Sequence, residues 1–170
     1  MQERTSGTVD LTQTSNRDYR PGRSYFVRAL WLVAEAVLFA NPVVTSYRLK
    51  RGLLRAFGAS VGNGVLIKPG ARVKYPWRLA IGDHSWLGER AWIDNMEDVR
   101  IGANVVVSQG AYLCTGNHDW SDPTFKYFGK PIIIGDSVWI TAGMMIGPGT
   151  IIPPCSVLLQ QPSSEYVIVE

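Results

Sequence analysis

The amino-acid sequence predicts a mainly β fold, a triangular parallel solenoid (β-helix) of six-residue repeats with a helical segment in front of it. Three observations predict it. Aliphatic residues recur every six positions: Val61, Ile67, Val73; Ile81, Leu87, Ile93; Ile101, Val107, Leu113; and again Ile134, Ile140, Ile146, Ile152. Glycine follows the aliphatic residue at Gly62, Gly82, Gly88, Gly102, Gly135 and Gly147. The fifth place of the hexad is usually small or β-branched, as at Val65, Ala71, Ser85, Ala91 and Val105. One hexad then makes a short strand and a corner, three hexads close a coil, and stacked coils place equivalent strands ~4.8 Å apart. The aliphatic residues fill the axis, glycine is expected to let the corner turn tightly, and stacking supplies the burial that one coil lacks.

The elements follow in chain order. Residues 1–20 are polar, carry no signal-peptide pattern, and are expected to form a flexible N-terminus. Residues 21–58 form the helical segment: Ser24 caps the apolar run Tyr25 to Ala40, Pro42 lies just past its end, and a basic helix runs from Tyr47 to Phe57 before Gly58. Arg28 and Glu35 interrupt the apolar run, and its length of about 16 residues falls short of the roughly 20 that cross a bilayer. Two placements stay open. The helix packs on the body of the protein or on a partner subunit, or Trp31, Phe39 and the arginines of residues 24–57 make peripheral contact with a membrane surface.

Residues 59–157 form the solenoid. The steps from Val73 to Ile81 and from Ile93 to Ile101 are eight, so the first two coils carry two extra residues at the same corner. At the third, residues 119–133 leave the coil as an excursion loop, and long loops on rigid scaffolds carry function. After Val157 the count fails, because Leu159 follows Leu158 and Pro162 fills a small slot, so 158–170 is expected to be an irregular tail.

The chain has 170 residues, 46% of them hydrophobic, which suits one domain with an appended segment. Cys114 and Cys155 have neither a disulfide framework nor zinc spacing, which points to a reducing, cytoplasmic setting. Basic character belongs to the front: residues 1–58 hold nine Lys/Arg against four Asp/Glu, and residues 59–170 hold eight against ten.

The runs IGDSVWITAGMMIGPGT (134–150) and IGANVVVSQGAYLCTGNHDWSDPTF (101–125) resemble the hexapeptide-repeat acyltransferases. Within them the chain is similar to the colanic acid biosynthesis acetyltransferase group, relatives of the maltose and galactoside acetyltransferases. The resemblance spans about residues 58–152. It implies a left-handed coil, against the usual right-handed crossover, and a homotrimer with sites between subunits. It also implies acetyl-CoA as acyl donor and, as acceptor, a sugar hydroxyl of a surface polysaccharide or its precursor, with neither metal nor nucleic acid as partner. The same solenoid carries carbonic anhydrases that bind metal through three histidines; this chain has only His84 and His118, and His84 is expected at an exposed corner.

A sugar hydroxyl attacks a thioester only as its proton leaves, and imidazole, with an ordinary pKa near 6.5, takes that proton at neutral pH. By resemblance His118, at the outward sixth place of its hexad, is the catalytic base. Asp94 and Asn95 lie in the stretch that contacts the acceptor in the family; the other reading is that they and Asp98 solvate the corner. Trp139, beside the strand that lines the pantetheine channel in relatives, covers the CoA arm or belongs to an aromatic trimer interface with Trp86, Trp92 and Tyr112. Ala142 offers backbone groups for close approach of the cofactor. Relatives end in a basic stretch that grips CoA phosphates, whereas here no Lys or Arg follows Lys130, leaving Lys126, Lys130 or a neighbour's arginines for that task. The alternative to an enzyme is a noncatalytic trimeric scaffold with a degenerate CoA site.

Overall fold

The computed structural model describes residues 9–14, 19–160 and 166–169. Three parallel sheets form the sides of a solenoid; each of four full coils gives one strand to each side, and a fifth adds a strand to the first two sheets. The first sheet stacks Ser60–Val61, Leu79–Ile81, Val99–Ile101, Ile132–Ile134 and Ile151–Ile152. The second stacks Leu66–Ile67, Trp86–Leu87, Val106–Val107, Trp139–Ile140 and Val157–Gln160, and the third Arg72–Val73, Trp92–Asp94, Tyr112–Cys114 and Met145–Ile146. Registers match the six-residue count: Ile67 pairs with Leu87 and Leu87 with Val107, while Val73 pairs with Ile93 and Ile93 with Leu113. The aliphatic columns are closed to solvent, with Ile67, Leu87, Ile93, Leu113 and Ile140 fully buried. Burying each such side chain is worth about 1.5–3 kcal/mol.

The corners correct one expectation. The residue that turns the chain is the fourth of the hexad, not the glycine in second place. His84, Arg90, Asn104, Ser137 and Cys155 all take φ between +56° and +59°, and Gly143 shares the left-handed geometry at +70°. Second-place glycine answers to stacking instead: a Cβ on Gly88 would come within 2.5 Å of the Gln109 nitrogen one coil along. His84 sits at an exposed corner of this left-handed kind. Fifth-place Ser85 is buried, and its hydroxyl donates to Gly102 O (2.7 Å) and accepts from Val105 N (3.0 Å), so the polar slot is satisfied.

Two helices cover the open first coil. Ser24 Oγ accepts from Val27 N at the start of α1 (Tyr25–Ala34), which continues as a wider turn over Glu35–Phe39. Trp31, Glu35 and Phe39 form its buried stripe, and two of them satisfy the third sheet's edge strand. Val73 N donates to Glu35 Oε1 (3.0 Å), and Trp31 Nε1 donates to Val73 O (2.8 Å). On α2 (Tyr47–Ala56), Arg51 Nη1 donates to Val65 O (2.7 Å) and Arg55 Nε to Val61 O (2.9 Å). An exposed strand edge invites pairing with other chains, and these side chains close it. The helices therefore pack on the body through the very residues, Trp31 and Phe39, that the membrane placement would have turned outward. Among the described residues, no helix is long and apolar enough to cross a membrane.

Both termini are described in part. Of the N-terminus, residues 1–8 and 15–18 lie outside the described residues, yet Asp10 N donates to Pro123 O (2.9 Å) in the excursion and the Tyr19 ring meets Tyr127 edge-on at 5.8 Å. The tail expected to be irregular adds a strand instead: Tyr166–Val169 pairs antiparallel with Val157–Gln160 and covers the far edge of the second sheet. Tyr166, Val167, Ile168 and Val169 are all strong strand formers, and a hairpin strand need not obey the six-residue count.

Candidate active site

The excursion begins earlier than the repeat count suggests. Gly116–His118 already leaves the coil and pairs antiparallel with Tyr127–Gly129, His118 opposite Tyr127. Lys130 N donates to Thr115 O (2.9 Å), which closes the base, and the chain rejoins the first sheet with Ile132 opposite Val99. The tip is shaped by two aspartates. Asp119 Oδ1 accepts from Ser121 N (3.0 Å), Asp122 Oδ1 accepts from Thr124 N (2.8 Å), and Phe125 turns the chain back at φ +50°.

That turn fixes His118. Phe125 O lies 2.8 Å from His118 Nδ1, and its ring stacks on the imidazole with centroids 4.4 Å apart and planes 4° from parallel. Tyr127 closes the other side edge-on at 5.8 Å. A carbonyl oxygen can only accept, so Nδ1 carries the proton and Nε2 keeps its lone pair. The imidazole is thus held in the tautomer a proton acceptor needs.

The ring lines a pocket of about 350 Å³ with Asp94, Tyr112, Cys114, Tyr127 and Met145. Asp94, in the coil before, is buried; its Oδ2 accepts from Tyr112 Oη (2.9 Å), and Lys74 Nζ forms an ion pair with Oδ1 at 2.8 Å. Burial pushes the Tyr112 hydroxyl well above the usual phenol range, reinforced by Cys114 and Asp94, so it stays a donor. Tyr127 is pushed up to about 12, chiefly by burial and then by the charge of Glu97. Cys114 Sγ donates to Gly116 O (3.0 Å). Lys74 escaped the sequence reading, which took Tyr112 as an interface aromatic and gave Cys114 no part in the site. The available signal was the twenty-residue spacing of Lys74, Asp94 and Cys114, which the register stacks in one column.

Asn95 does not join them. It is fully buried, Tyr75 N donates to its Oδ1 (2.9 Å), and its Nδ2 donates to Tyr75 O (2.7 Å). In the protomer its amide clamps the corner of the first coil, apart from the residues that line the His118 pocket. Asp98 keeps a structural part, its carbonyl accepting from Ile132 N (3.0 Å).

Trp139 and Ala142 lie elsewhere in the protomer. Trp139 is half exposed on the second sheet, its Nε1 donating to Ser108 Oγ (2.9 Å), and with Lys68, Trp86, Glu89 and Gln109 it lines a separate cleft of about 640 Å³. Ala142 is exposed in the corner between the second and third sheets. That cleft shares no lining residue with the His118 pocket. Lys130 approaches the latter, its side chain running beside Gly149 and next to the pocket residue Pro148. Among the described residues, no group of three His, Cys, Asp or Glu is arranged to hold a metal ion.

No family model matches the chain. The chain is 37% identical over 136 residues, 80% of its length and 74% of the relative's, to an Escherichia coli (strain K12) protein provisionally named colanic acid biosynthesis acetyltransferase WcaF. Its fold is shared with a hexapeptide-repeat acetyltransferase of Vibrio cholerae O1 biovar eltor, solved with acetyl coenzyme A, at TM-score 0.70 and 17% identity over 85% of this chain and 86% of that one. A galactoside acetyltransferase solved with coenzyme A gives TM-score 0.67 and 19% identity, over 88% and 84%. With a repeat that builds this coil and a relative this similar over most of the chain, the protein belongs to the hexapeptide-repeat acyltransferases, in the colanic acid biosynthesis acetyltransferase group.

Proposed function

We propose that the protein is a cytoplasmic, acetyl-CoA-dependent O-acetyltransferase that modifies a sugar hydroxyl of a surface polysaccharide or its precursor, with His118 as general base. The observation that carries this is the imidazole held with Nε2 basic against a pocket by the Phe125 carbonyl. His118 Nε2 takes the acceptor hydroxyl proton as the oxygen attacks the acetyl carbonyl; the oxyanion collapses and expels CoA thiolate, to which the imidazolium returns the proton. The Asp94–Lys74 pair and the Tyr112 hydroxyl supply polar groups for the sugar.

The donor site is divided between chains. In a homotrimer the flat face of Trp139 and the exposed Ala142 corner of one subunit would stand against the His118 pocket of its neighbour, bringing together clefts that one protomer keeps apart. The residues fit such an arm: Trp139 is a rigid panel anchored by Ser108, and Lys130 is a cation at the rim of the His118 pocket.

Acetyl-CoA turnover against a panel of sugars, together with solution mass, tests the reading. A trimer whose wild type acetylates a sugar and whose His118→Ala form does not is the expected result. Equal inertness of both with no CoA binding would favour the noncatalytic scaffold.

A further inference from the structure

The outward face of α1 has the wrong chemistry for water. Tyr25, Phe26, Leu30, Leu32, Val33 and Val37 are between 51% and 78% exposed, and Ala29 and Ala36 fill the gaps between them. The carboxylate of the same helix points the other way, Glu35 being buried against Val73 and Arg72, and Arg28 is half-buried at the border of the face. A helix apolar on its open side as well as its packed side needs a second apolar surface to cover it.

We propose that this face docks the protein on an anionic lipid bilayer surface, with α1 lying in the plane of the interface. Three observations select that occupant. From residue 19 to residue 58 the sequence has seven basic residues and one acidic residue, Glu35, which faces inward; Lys50 is buried and Arg51 and Arg55 are spent on strand carbonyls, but Arg20, Arg23 and Arg48 are exposed and present positive charge beside an apolar stripe. Two copies meeting through this face would oppose like charges. Arg28 sits over the Tyr25 ring at 5.7 Å, and its Nε is buried without a hydrogen-bond partner. It lines a cleft of about 540 Å³ with Tyr25, Leu32, Glu35, Arg72 and Lys74; Glu35 is paired with Arg72 and Lys74 with Asp94, which leaves Arg28 as the cation for which a lipid phosphodiester would supply the missing acceptor. Finally, Tyr25 to Phe39 spans roughly 22 Å as a helix, too short to cross a core of about 30 Å but long enough to lie along its surface.

Cosedimentation of the full chain with phosphatidylcholine vesicles, and with the same vesicles carrying phosphatidylglycerol, tests this together with solution mass. Wild type should bind the anionic vesicles preferentially, with an affinity that falls as salt is raised. A Phe26→Ser, Leu30→Ser, Val33→Ser variant, altered only on the open face, should lose at least about tenfold in partitioning while keeping its melting temperature and mass. Arg28→Gln should reduce the preference for phosphatidylglycerol. Absence of wild-type binding to the anionic vesicles, or equal binding by the triple variant, would overturn the proposal. So would a triple variant that changes oligomeric mass when wild type binds no lipid, since the face would then be a contact between copies. None of these outcomes depends on acetyl transfer.

Discussion

The corner after the third sheet is lengthened in the first three coils of this solenoid, and in two ways. At Tyr75 and Asn95 the chain detours by two residues and returns; at Thr115 it detours through the hairpin that carries His118. The registers place these three residues in one column. Asn95 clamps the backbone of Tyr75, and Thr115 does the same one coil later, its hydroxyl donating to Asp94 O (3.3 Å) and accepting from Glu97 N (2.8 Å). A corner that is tied at its base can lengthen without disturbing the stack. The clamp belongs to stability, and what extends beyond it is available for chemistry.

Mutations should separate the two. The largest effect is expected from His118→Ala, which should lower acetyl transfer by about 10²–10⁴-fold, the usual worth of a positioned acid–base group. Its melting temperature should stay near wild type, because the half-buried ring stacks only on the excursion and not on the axis. A large loss of stability would mean that the hairpin is part of the scaffold after all. Asn95→Ala should behave in the opposite way. It leaves the Tyr75 N–H and C=O without partners in a buried corner, costing about 1–3 kcal/mol in denaturant unfolding, while KM for the acceptor stays unchanged. A raised KM with unaltered stability would restore Asn95 to the acceptor site.

The same contrast explains what could be read from the sequence. The axis was legible because its signal is repeated: each aliphatic residue meets its own equivalent, as Ile93 does Val73 and Leu113, so one pattern fixes fold and register. His118 stands out because it lies where that pattern is interrupted, and its catalytic role rests on the resemblance. Asn95 stayed open between two readings because a corner asparagine looks alike in sequence whether it binds a substrate or a backbone. The partners of Asp94 were hidden for a related reason: Lys74 and Tyr112 meet it only through coil stacking, across 20 and 18 residues of sequence. The placement of the apolar stripe also stayed open. Both faces of α1 are apolar, so composition alone does not say that Trp31 and Phe39 face the solenoid and Phe26 and Leu30 face away.

A smaller effect is expected where scaffold and pocket overlap. Asp94→Asn preserves shape and keeps an acceptor for the Tyr112 hydroxyl, but it removes the charge that pairs with Lys74. If the pair orients the acceptor, kcat/KM should fall on the order of tenfold with CoA binding unchanged. Unchanged kinetics with reduced stability would place Asp94 with Asn95, as a second clamp of the second coil.

The smallest effect lies at the seam between the excursion and the coil, where Tyr127 faces Glu97. Its folded pKa is pushed up to about 12 from the ordinary 10.0 by burial and by that carboxylate. The sign follows from proton counting. Below pH 10 the phenol is neutral in folded and unfolded chains alike, whereas between about 10 and 12 the unfolded chain gives up its proton first. Ionisation therefore favours unfolding, and stability should decline as pH rises through that window. Tyr127→Phe should flatten this part of the melting-temperature profile, and an unchanged slope would mean that the seam opens before the molecule unfolds. In that case the hairpin bearing His118 would be the less stable unit, and its geometry would depend on the neighbouring subunit more than on the coil beneath it.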